Sequence, residues 1–239
     1  MQPKMPHIEM AGNPIIFEWI HGNSKNSYLF VSLPGIMQML EVFFPGLKEV
    51  ANERLPLWPD SSAPWSILSY EEAGLIAQMG EILSENGSVF IHPTAKIGDN
   101  VEIEGPCYVG PEAEIRHSAY LRKGSWICSG ALVGHSSEVK NSILLPGSKA
   151  PHFNYVGDSI VGINANLGAG VKLSNVRNDK REILAIMEDG TKVVTGLRKM
   201  GAIIGDGCQL GCNTVTNPGA LLLPRTMINP NVTVSGWNC

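Results

Sequence analysis

In the second half of the chain, an aliphatic side chain recurs at every sixth position. Four residues after most of these positions stands a small residue, such as Ala95, Ala113 or Ala131, and a glycine or polar residue often follows the aliphatic one directly. Self-similarity at a fixed period is the sequence signature of a repeat architecture. The first uninterrupted run consists of Ile91, Ile97, Ile103, Val109, Ile115, Leu121, Ile127, Val133, Val139 and Leu145.

A period of six matches neither the 3.6-residue turn of an α-helix nor the two-residue alternation of a β-strand. It fits a short strand, a sharp turn and a further strand set at an angle, so that three strands close one coil of about eighteen residues. Stacked coils would place the aliphatic residues in a common interior and the small residues beneath the turns. We therefore predict a mainly β fold, a parallel β-helix of six-residue repeats, over residues 89–239.

The period is interrupted after Leu145, because the next position that continues it, Tyr155, comes ten residues later. This spacing predicts four additional residues, in an inserted loop near 146–154 that carries Pro151 and His152. In a stack of similar coils, insertions map to loops on one face, which is often the binding face. The period then continues through Val161, Leu167 and Leu173, and again through Ile204, Leu210, Thr216, Leu222, Ile228 and Val234.

A second interruption spans residues 177–203. Within it, apolar and polar residues alternate on both sides of Asp189-Gly190, a dipeptide typical of tight hairpin turns. We predict a protruding β-hairpin here. The segment that follows would return Arg198 and Lys199 to the coils.

Residues 1–88 lack the six-residue period and are predicted to form a separate, partly helical region. The stretch SYEE, from Ser69 onward, has the form of a helix capping box and precedes apolar residues at helical spacing. The segment PGIMQMLEVFFPGLKEVANERL is also predicted to be helical, with an interruption at Pro45. The open end of a β-helix exposes apolar side chains and unpaired strand edges. We therefore predict that residues 1–88 cap the first coil.

Composition narrows the classes of partner. The 239-residue chain carries a formal net charge of −4, so no overall basic field favours nucleic acid or an anionic membrane surface. No apolar stretch has membrane-spanning length, and the N-terminus lacks the basic start and apolar core of a signal peptide. Five cysteines without a CxxC pair are typical of reduced thiols. We expect a cytoplasmic protein that binds neither nucleic acid nor membrane.

Histidine is a candidate both for metal binding and for acid–base chemistry. His92, His117 and His135 are interpreted as solvated turn residues, because no pair has the four- or five-residue spacing that a shared metal would favour. No metal site is predicted. His152 differs from these three because it stands on the predicted insertion.

Around that insertion, Arg122, Lys140, Asn166 and Asn175 recur at intervals comparable with one coil, so several of them could line one edge of the prism. Spacing alone leaves two interpretations open. One is a histidine general base amid cations that hold an anionic substrate. The other is an ordinary surface loop with scattered charges.

Five motifs around these residues occur in the same order in bifunctional sugar-1-phosphate nucleotidyltransferase/acetyltransferases: LRKGS, VGHSSEVKNS, GSKAPHFNYVGDS, GINANLGAG and LSNVRNDK. Over about 89–239 the sequence resembles the C-terminal, left-handed β-helix acetyltransferase domain of that family, and TGLRKMGAIIGDG resembles its archaeal-type members especially. The resemblance implies an acetyl-coenzyme A-dependent N-acetyltransferase of an amino-sugar phosphate such as glucosamine 1-phosphate. It also implies a homotrimer with its active site between neighbouring prisms.

The resemblance further implies roles for individual residues. His152 corresponds to the catalytic base and Asn175 to an asparagine near the acyl group. Gly211 and Cys212 fall in the later coils, whose backbone contacts acetyl-coenzyme A in the family. The residues implied in binding the sugar phosphate are Arg122, Lys140, Tyr155, Asn166 and Arg181.

Two departures from the family pattern affect these expectations. Many bacterial members read NYDG, with a lysine shortly after, where this sequence reads NVRN with Lys180 and Arg181 beyond. The family's nucleotidyltransferase domain and its GxGTR loop have no counterpart in residues 1–88, so we expect no uridylyl transfer. The alternative readings are a non-catalytic trimeric scaffold or regulatory partner of a separate nucleotidyltransferase, and a trimeric zinc enzyme of the carbonic anhydrase type.

Overall fold

The computed structural model describes residues 36–50, 53–58, 63–83 and 88–239. In chain order its first elements are helix α1 (Ile36–Phe43), two 3-10 turns (Pro45–Glu49 and Pro64–Leu68), helix α2 (Leu75–Leu83), and strands β1 (Val89–Ile91), β2 (Lys96–Ile97), β3 (Glu102–Ile103), β4 (Cys107–Val109), β5 (Glu114–Ile115), β6 (Tyr120–Leu121), β7 (Ser125–Ile127), β8 (Leu132–His135), β9 (Glu138–Lys140), β10 (Ser142–Leu144), β11 (Lys149–His152), β12 (Tyr155–Gly157), β13 (Ile160–Val161), β14 (Asn166–Leu167) and β15 (Lys172–Leu173). The chain continues with β16 (Leu184–Ile186), β17 (Lys192–Val194), β18 (Ala202–Ile204), β19 (Gln209–Leu210), β20 (Val215–Thr216), β21 (Ala220–Leu222), β22 (Met227–Ile228), β23 (Thr233–Val234) and β24 (Trp237–Asn238).

Three parallel sheets form the sides of a prism, and each coil contributes one strand to each sheet. The first sheet has the order β1-β4-β7-β10-β13-β18-β21-β24, the second β2-β5-β8-β11-β14-β19-β22, and the third β3-β6-β9-β12-β15-β20-β23. Equivalent residues of successive coils are paired, as in Phe90, Tyr108 and Trp126. The predicted parallel β-helix is therefore confirmed, whereas its handedness stays a prediction.

The interior of the prism is a continuous column of aliphatic side chains. The periodic residues from Val109 to Val139 all lie in it and are fully buried, with small residues such as Ala113 and Ala131 packed beside them. Ile91 and Ile97 belong to the first coil and are 41% and 40% exposed. The six-residue pattern thus identified the interior correctly over this part of the chain.

The coil that follows Val139 departs from the predicted register. Its interior residues are Leu144, Ala150, Val156 and Val161, all fully buried. The steps between these five residues are five, six, six and five, so two corners of the coil are each one residue shorter than usual. The prediction of an inserted loop near 146–154 is wrong.

Residues 146–154 belong to a regular coil. In β11, Ala150 pairs with Val133 of the preceding coil, and Lys149 pairs with Asn166 of the following one. Leu145 packs outside the prism against the N-terminal region, and Tyr155 is half-buried on the outside of the third sheet. The aliphatic period pointed to Leu145 and Tyr155 because the first is large and apolar and the second is large and partly apolar, whereas the true interior residue, Ala150, is small.

Each shortened corner is made by one residue with a left-handed backbone. Asn141 (φ 42°) turns the chain into β10, and Asp158 (φ 46°) turns it into β13. In the coil before, Lys123 and Gly124 make the corresponding turn, and their carbonyls accept from the N–H groups of Asn141 and Ser142 at 3.0 Å. Asparagine and aspartate tolerate this conformation better than most residues. As a result, two polar side chains are buried at this edge of the prism.

The predicted hairpin is confirmed. Strands β16 and β17 are antiparallel, and Asp189 and Gly190 lie in the turn that joins them. The base of the hairpin packs on the last coils, because Ile183 and Ala185 are fully buried. A Cβ placed on Gly219 would lie 2.8 Å from the Ile183 side chain.

The N-terminal region is partly helical, as predicted, but its described residues do not cover the first coil. They lie along the outer face of the first sheet, from Trp126, whose indole N–H donates to the Arg54 carbonyl (3.1 Å), to Trp237, whose ring contacts Phe43 (5.3 Å). The capping prediction is therefore wrong for this part, and its remainder lies outside the described residues. The apolar contact is built from Met39, Phe43, Phe44, Trp65, Ile67, Leu68, Leu75 and Met79 against Tyr108, Trp126, Ile143, Ile160, Ile203 and Leu221.

None of the described helices has the length and apolarity that crossing a membrane requires.

Candidate functional site

A fully buried carboxylate, Asp158, organises a polar cluster at the edge between the third and first sheets, which we call the Asp158 edge. Its Oδ1 accepts hydrogen bonds from the Tyr70 hydroxyl (2.8 Å) and from Asn141 Nδ2 (2.9 Å). Its Oδ2 accepts from Asn175 Nδ2, and Lys140 Nζ lies 3.6 Å from the same oxygen. A buried charge is tolerated only when it is paired and hydrogen-bonded. These four partners meet that requirement.

The coil geometry brings three of these partners to Asp158. Lys140 ends β9, Asp158 follows β12, and Asn175 follows β15, so they belong to successive coils of the third sheet. The Asp158 N–H donates to the Lys140 carbonyl at 2.9 Å, which fixes two of the coils to each other at this point. Tyr70 comes from the N-terminal region, and Asn141 Nδ2 also donates to the Leu68 carbonyl at 2.9 Å.

Arg122 lies one coil before Lys140 on the same edge. Its guanidinium forms an ion pair with Glu138 (2.8 Å) and lies 5.7 Å from the centre of the Tyr120 ring. Its Nε is buried and has no hydrogen-bond partner among the described residues. An unpaired buried donor is costly, so this position favours an additional acceptor such as a ligand oxygen.

Tyr155 extends across the third sheet toward Asn175. A Cβ built on Gly157 would lie 2.7 Å from the Tyr155 hydroxyl and 2.7 Å from Asn175 Nδ2, so these two side chains fill the space above that glycine. Burial, and then the charges of Glu138 and Asp158, raise the pKa of Tyr155. The hydroxyl therefore stays protonated at neutral pH and remains available as a donor.

Two residues that the sequence did not identify as part of the site, the aromatic Tyr70 and the basic Lys199, lie beside Asp158. The Nζ atoms of Lys140 and Lys199 are 5.6 Å and 5.8 Å from the centre of the Tyr70 ring. Burial, followed by the Asp158 charge and hydrogen bond, raises the pKa of Tyr70 well above its ordinary value. Burial lowers the pKa of Lys140; Asp158 opposes the shift, and the charges of Lys199 and Arg122 add to it.

His152 lies on a different edge, between the second and third sheets, which we call the His152 edge. It is exposed, pairs in register with His135, and its N–H donates to Asn154 Oδ1 at 3.0 Å. The ring of His135 in turn stacks on His117 at 4.1 Å. Among the described residues, no hydrogen bond, ion pair or ring contact joins His152 to the Asp158 cluster. Tyr155, which opens the next strand, connects the two edges.

The residues predicted to bind acetyl-coenzyme A continue the His152 edge. The Gly170 N–H donates to the His152 carbonyl (3.0 Å), and one coil further the Asn213 N–H donates to the Ala169 carbonyl (2.8 Å). Cys212 is exposed at this corner, next to Gly211. His152, Ala169 and Cys212 therefore follow one another along a single edge.

Two predicted residues lie away from both groups. Asn166 is on the second sheet, opposite Lys149. Arg181 is exposed, and its N–H donates to Asp179 Oδ1 at 3.1 Å. Within the described ranges, neither residue forms a hydrogen bond or ion pair with Asp158, whereas Lys199 reaches that cluster from the far end of the same excursion.

Among the described residues, no group of three or more His, Cys, Asp and Glu side chains is arranged to hold a metal ion.

The signals for the missed residues are weak in the sequence. Tyr70 lies 88 residues before Asp158, in a region without the repeat. Asp158 and Asn141 stand at turns whose one-residue shortening is visible only once the interior residues are known.

Comparisons with known proteins agree with this architecture. Residues 103–235 match the family described as the GMPPB C-terminal domain. The bifunctional sugar-1-phosphate nucleotidylyltransferase/acetyltransferase of Sulfurisphaera tokodaii is 33% identical over 196 residues, which are 74% of this chain and 46% of that protein. The bifunctional protein GlmU of Methanococcus maripaludis is 33% identical over 181 residues, 73% of this chain and 44% of that protein.

Among solved structures, PerB from Caulobacter crescentus, in complex with CoA and GDP-perosamine, has 17% sequence identity and a TM-score of 0.27, covering 74% of this chain and 75% of that one. The chain spans less than half the length of the two bifunctional relatives. The matched part is their C-terminal acetyltransferase region. The chain therefore belongs to the GMPPB C-terminal domain family, and its β-helix corresponds to the acetyltransferase part of the GlmU-like bifunctional proteins.

Proposed function

We propose that this protein is an acetyl-coenzyme A-dependent N-acetyltransferase that acts on an amino-sugar phosphate, such as glucosamine 1-phosphate. The observation that carries the proposal is the arrangement of two different edges on either side of one sheet. Cations cluster on the Asp158 edge, an exposed histidine lies on the His152 edge, and Tyr155 spans the distance between them. A substrate with an anionic group at one end and an amine at the other fits this arrangement.

The Asp158 edge is suited to the phosphate. Lys140 is only 15% exposed and is held by Asp158, so its ammonium group is oriented before a ligand arrives. The unpaired Nε of Arg122 supplies a further donor. Cationic donors form the strongest hydrogen bonds to phosphate oxygens. We assign Tyr155 to the sugar between the two edges; Asn166, placed at the substrate by the resemblance, lies on the next sheet.

The His152 edge is suited to the acyl transfer. An amine attacks only when it is unprotonated. As its nitrogen forms the bond to the acetyl carbon, the imidazole of His152 would accept the amine proton; the bond from that carbon to the sulfur of coenzyme A would break, and the proton would pass to the departing thiolate. Acetyl-coenzyme A bound along this edge would supply the acetyl group as a thioester. Cys212 is exposed on this edge and the side chain of Ala169 is small, so an extended ligand would have room to lie along it. Asn175, expected near the acyl group, instead donates to Asp158 and would act on the sugar side.

We further propose that the site is completed between neighbouring prisms of a homotrimer. His152 is exposed in the single chain, so a neighbouring molecule would exclude water from it. The hairpin keeps Val194 and Ile186 exposed, which would suit a contact with that neighbour. Light scattering on the purified protein tests this oligomeric state. We also propose a cytoplasmic location, because the chain belongs to the same family as the GlmU-like proteins.

The experiment that tests the activity is thiol release from acetyl-coenzyme A, followed with a chromogenic disulfide. Glucosamine 1-phosphate, other amino-sugar phosphates and nucleotide-linked amino sugars serve as acceptors. His152→Ala is expected to lower kcat by about 100-fold or more. His92→Ala, a turn histidine of the first coil that contacts Thr94, is the matched control. If no acceptor releases thiol with the wild-type protein, the proposal is wrong and the non-catalytic scaffold becomes the better reading.

A further inference from the structure

The Tyr70 ring lies close to two lysines that come from different parts of the chain. Lys140 belongs to β9, and Lys199 ends the excursion that contains the hairpin. Their Nζ atoms lie 5.6 Å and 5.8 Å from the ring centre. A cation within about 6 Å of a ring face is attracted to it. One aromatic side chain therefore associates with both ammonium groups.

Main-chain and side-chain hydrogen bonds hold this group in place. The Tyr70 hydroxyl donates to Asp158 at 2.8 Å. The two residues that follow Lys199 are also held by main-chain hydrogen bonds. The Met200 N–H donates to the Asn175 carbonyl (3.0 Å), and the Gly201 N–H donates to the Asp158 carbonyl (2.7 Å). The backbone just after Lys199 is thus bonded to Asp158, the residue whose carboxylate orients Lys140.

The charges around the Tyr70 ring are not balanced. Asp158 offsets Lys140, and Glu138 offsets Arg122. Lys199 is exposed and forms no ion pair with any residue in the described ranges. Two ammonium groups that share one ring, with one carboxylate between them, leave a local positive excess. An anion reaching this edge would restore the balance.

We propose that Lys199 binds the anionic group of the substrate together with Lys140, and that Tyr70 is a positioning residue that holds both ammonium groups. The ligand class is a phosphate ester, and the inference rests on the proposed function. It assigns to the N-terminal region a direct effect on substrate affinity. It also names Lys199, in place of Arg181, as the third cation of the site.

The first experiment measures binding without chemistry. Calorimetry with inorganic phosphate and with glucose 1-phosphate, which has no amine, compares the wild type with Lys199→Gln. We expect the variant to bind both about tenfold more weakly. The matched control is Arg198→Gln, an exposed neighbour whose guanidinium donates to the Lys180 carbonyl (3.4 Å). Equal affinities in the two variants, or no phosphate binding by the wild type, would overturn the inference.

The second experiment separates positioning from folding. Tyr70→Leu removes the ring, and Tyr70→Phe keeps it while losing only the bond to Asp158. In the acetylation assay, Tyr70→Leu is expected to raise KM for the sugar phosphate about tenfold and to leave KM for acetyl-coenzyme A unchanged. Tyr70→Phe should restore most of that affinity. An equal rise of both KM values, or no difference between Leu and Phe, would contradict the positioning role.

The two proposals fail in different ways. If phosphate binding depends on Lys199 but no acceptor releases thiol, the proposed acetyl transfer is wrong and the anion site stands. If thiol is released and neither phosphate binding nor KM responds to Lys199→Gln, the acetyl transfer stands and this inference is wrong.

Discussion

The hydroxyl of Tyr70 donates a 2.8 Å hydrogen bond to the carboxylate of Asp158, although 88 residues separate them along the chain. The bond joins the N-terminal region to a turn of the β-helix at the point where Asn141, Asn175 and Lys140 also converge. Tyr70 belongs to the segment that follows the second 3-10 turn, whose apolar residues pack on the outer face of the first sheet. Packing of the N-terminal region therefore contributes a residue, Tyr70, to the cation cluster.

Asp158→Asn is expected to destabilise the protein by about 3 kcal/mol. The buried carboxylate accepts from Tyr70, Asn141 and Asn175, and an amide would turn one of its oxygens into a donor that faces another donor. Lys140 would also lose its counter-charge. Urea unfolding of both proteins measures the difference in the free energy of unfolding.

The control for this change is Asp179→Asn, whose carboxylate forms an exposed ion pair with Arg177. Exposed pairs contribute little to stability, so this variant should unfold like the wild type. Equal stability of the Asp158 and Asp179 variants would show that the buried donors do not require a carboxylate.

Alanine substitutions at two glycines should shift stability in opposite directions. At Gly157 a Cβ would lie 2.7 Å from both Asn175 Nδ2 and the Tyr155 hydroxyl, so Gly157→Ala must displace one of them and is expected to cost about 1–3 kcal/mol. At Gly80, in helix α2, no atom of the described residues lies within 4 Å of the added Cβ. Gly80→Ala should therefore stabilise by about 0.5–1 kcal/mol. Thermal unfolding measures the direction of both stability changes. A stabilising Gly157→Ala would contradict the packing of Asn175 and Tyr155 over this glycine.

Much of the β-helix could be predicted from its period, because a fully buried aliphatic residue recurs at most strands from Val109 to Leu222. The rule failed where the interior residue was Ala150 and where Leu145 and Tyr155 offered larger side chains at a plausible spacing. Leu145 is apolar because the N-terminal region covers it, a contact that no local pattern records. Tyr155 has a partly apolar ring, which lies on the outside of the third sheet and extends across the candidate site.

The candidate site likewise contains residues that the repeat predicts and residues that it does not. Arg122 directly follows β6 and Lys140 ends β9 of the next coil, and the repeat alone places them on one edge. Tyr70 and Lys199 reach that edge from outside the repeat, by packing and by an excursion of the chain. Their positions depend on tertiary contacts, so neither could be found from spacing.

Thiol labelling should distinguish the His152 edge from the interior. Burial raises the pKa of Cys107 to about 12 and that of Cys208 to about 11, and Cys128 is also buried with a raised pKa. These thiols stay protonated at pH 8 and should not react, because the thiolate is the nucleophile. Cys212 and Cys239 are exposed and should both be modified in the native protein, whereas all five react in urea.

Acetyl-coenzyme A should protect only one of the two exposed thiols. If the acyl donor lies along the His152 edge, labelling of Cys212 slows several-fold in its presence while labelling of Cys239 does not change. Peptide mass spectrometry assigns the modified residue. Protection of neither thiol at saturating acetyl-coenzyme A would place the donor away from Cys212.

The corrected register makes a direct prediction for two neighbouring residues. Ala150 faces the interior and is fully buried, whereas Lys149 faces outward and is exposed. Ala150→Asp would bury an unpaired carboxylate among aliphatic side chains and is expected to prevent stable folding. Lys149→Asp should leave the thermal midpoint within a few degrees of the wild type, because surface substitutions are usually close to neutral. Circular dichroism with heating compares the two variants. A surface loop over 146–154 would tolerate both changes, so similar midpoints would support the insertion that the aliphatic period predicted and contradict the strand that pairs Ala150 with Val133.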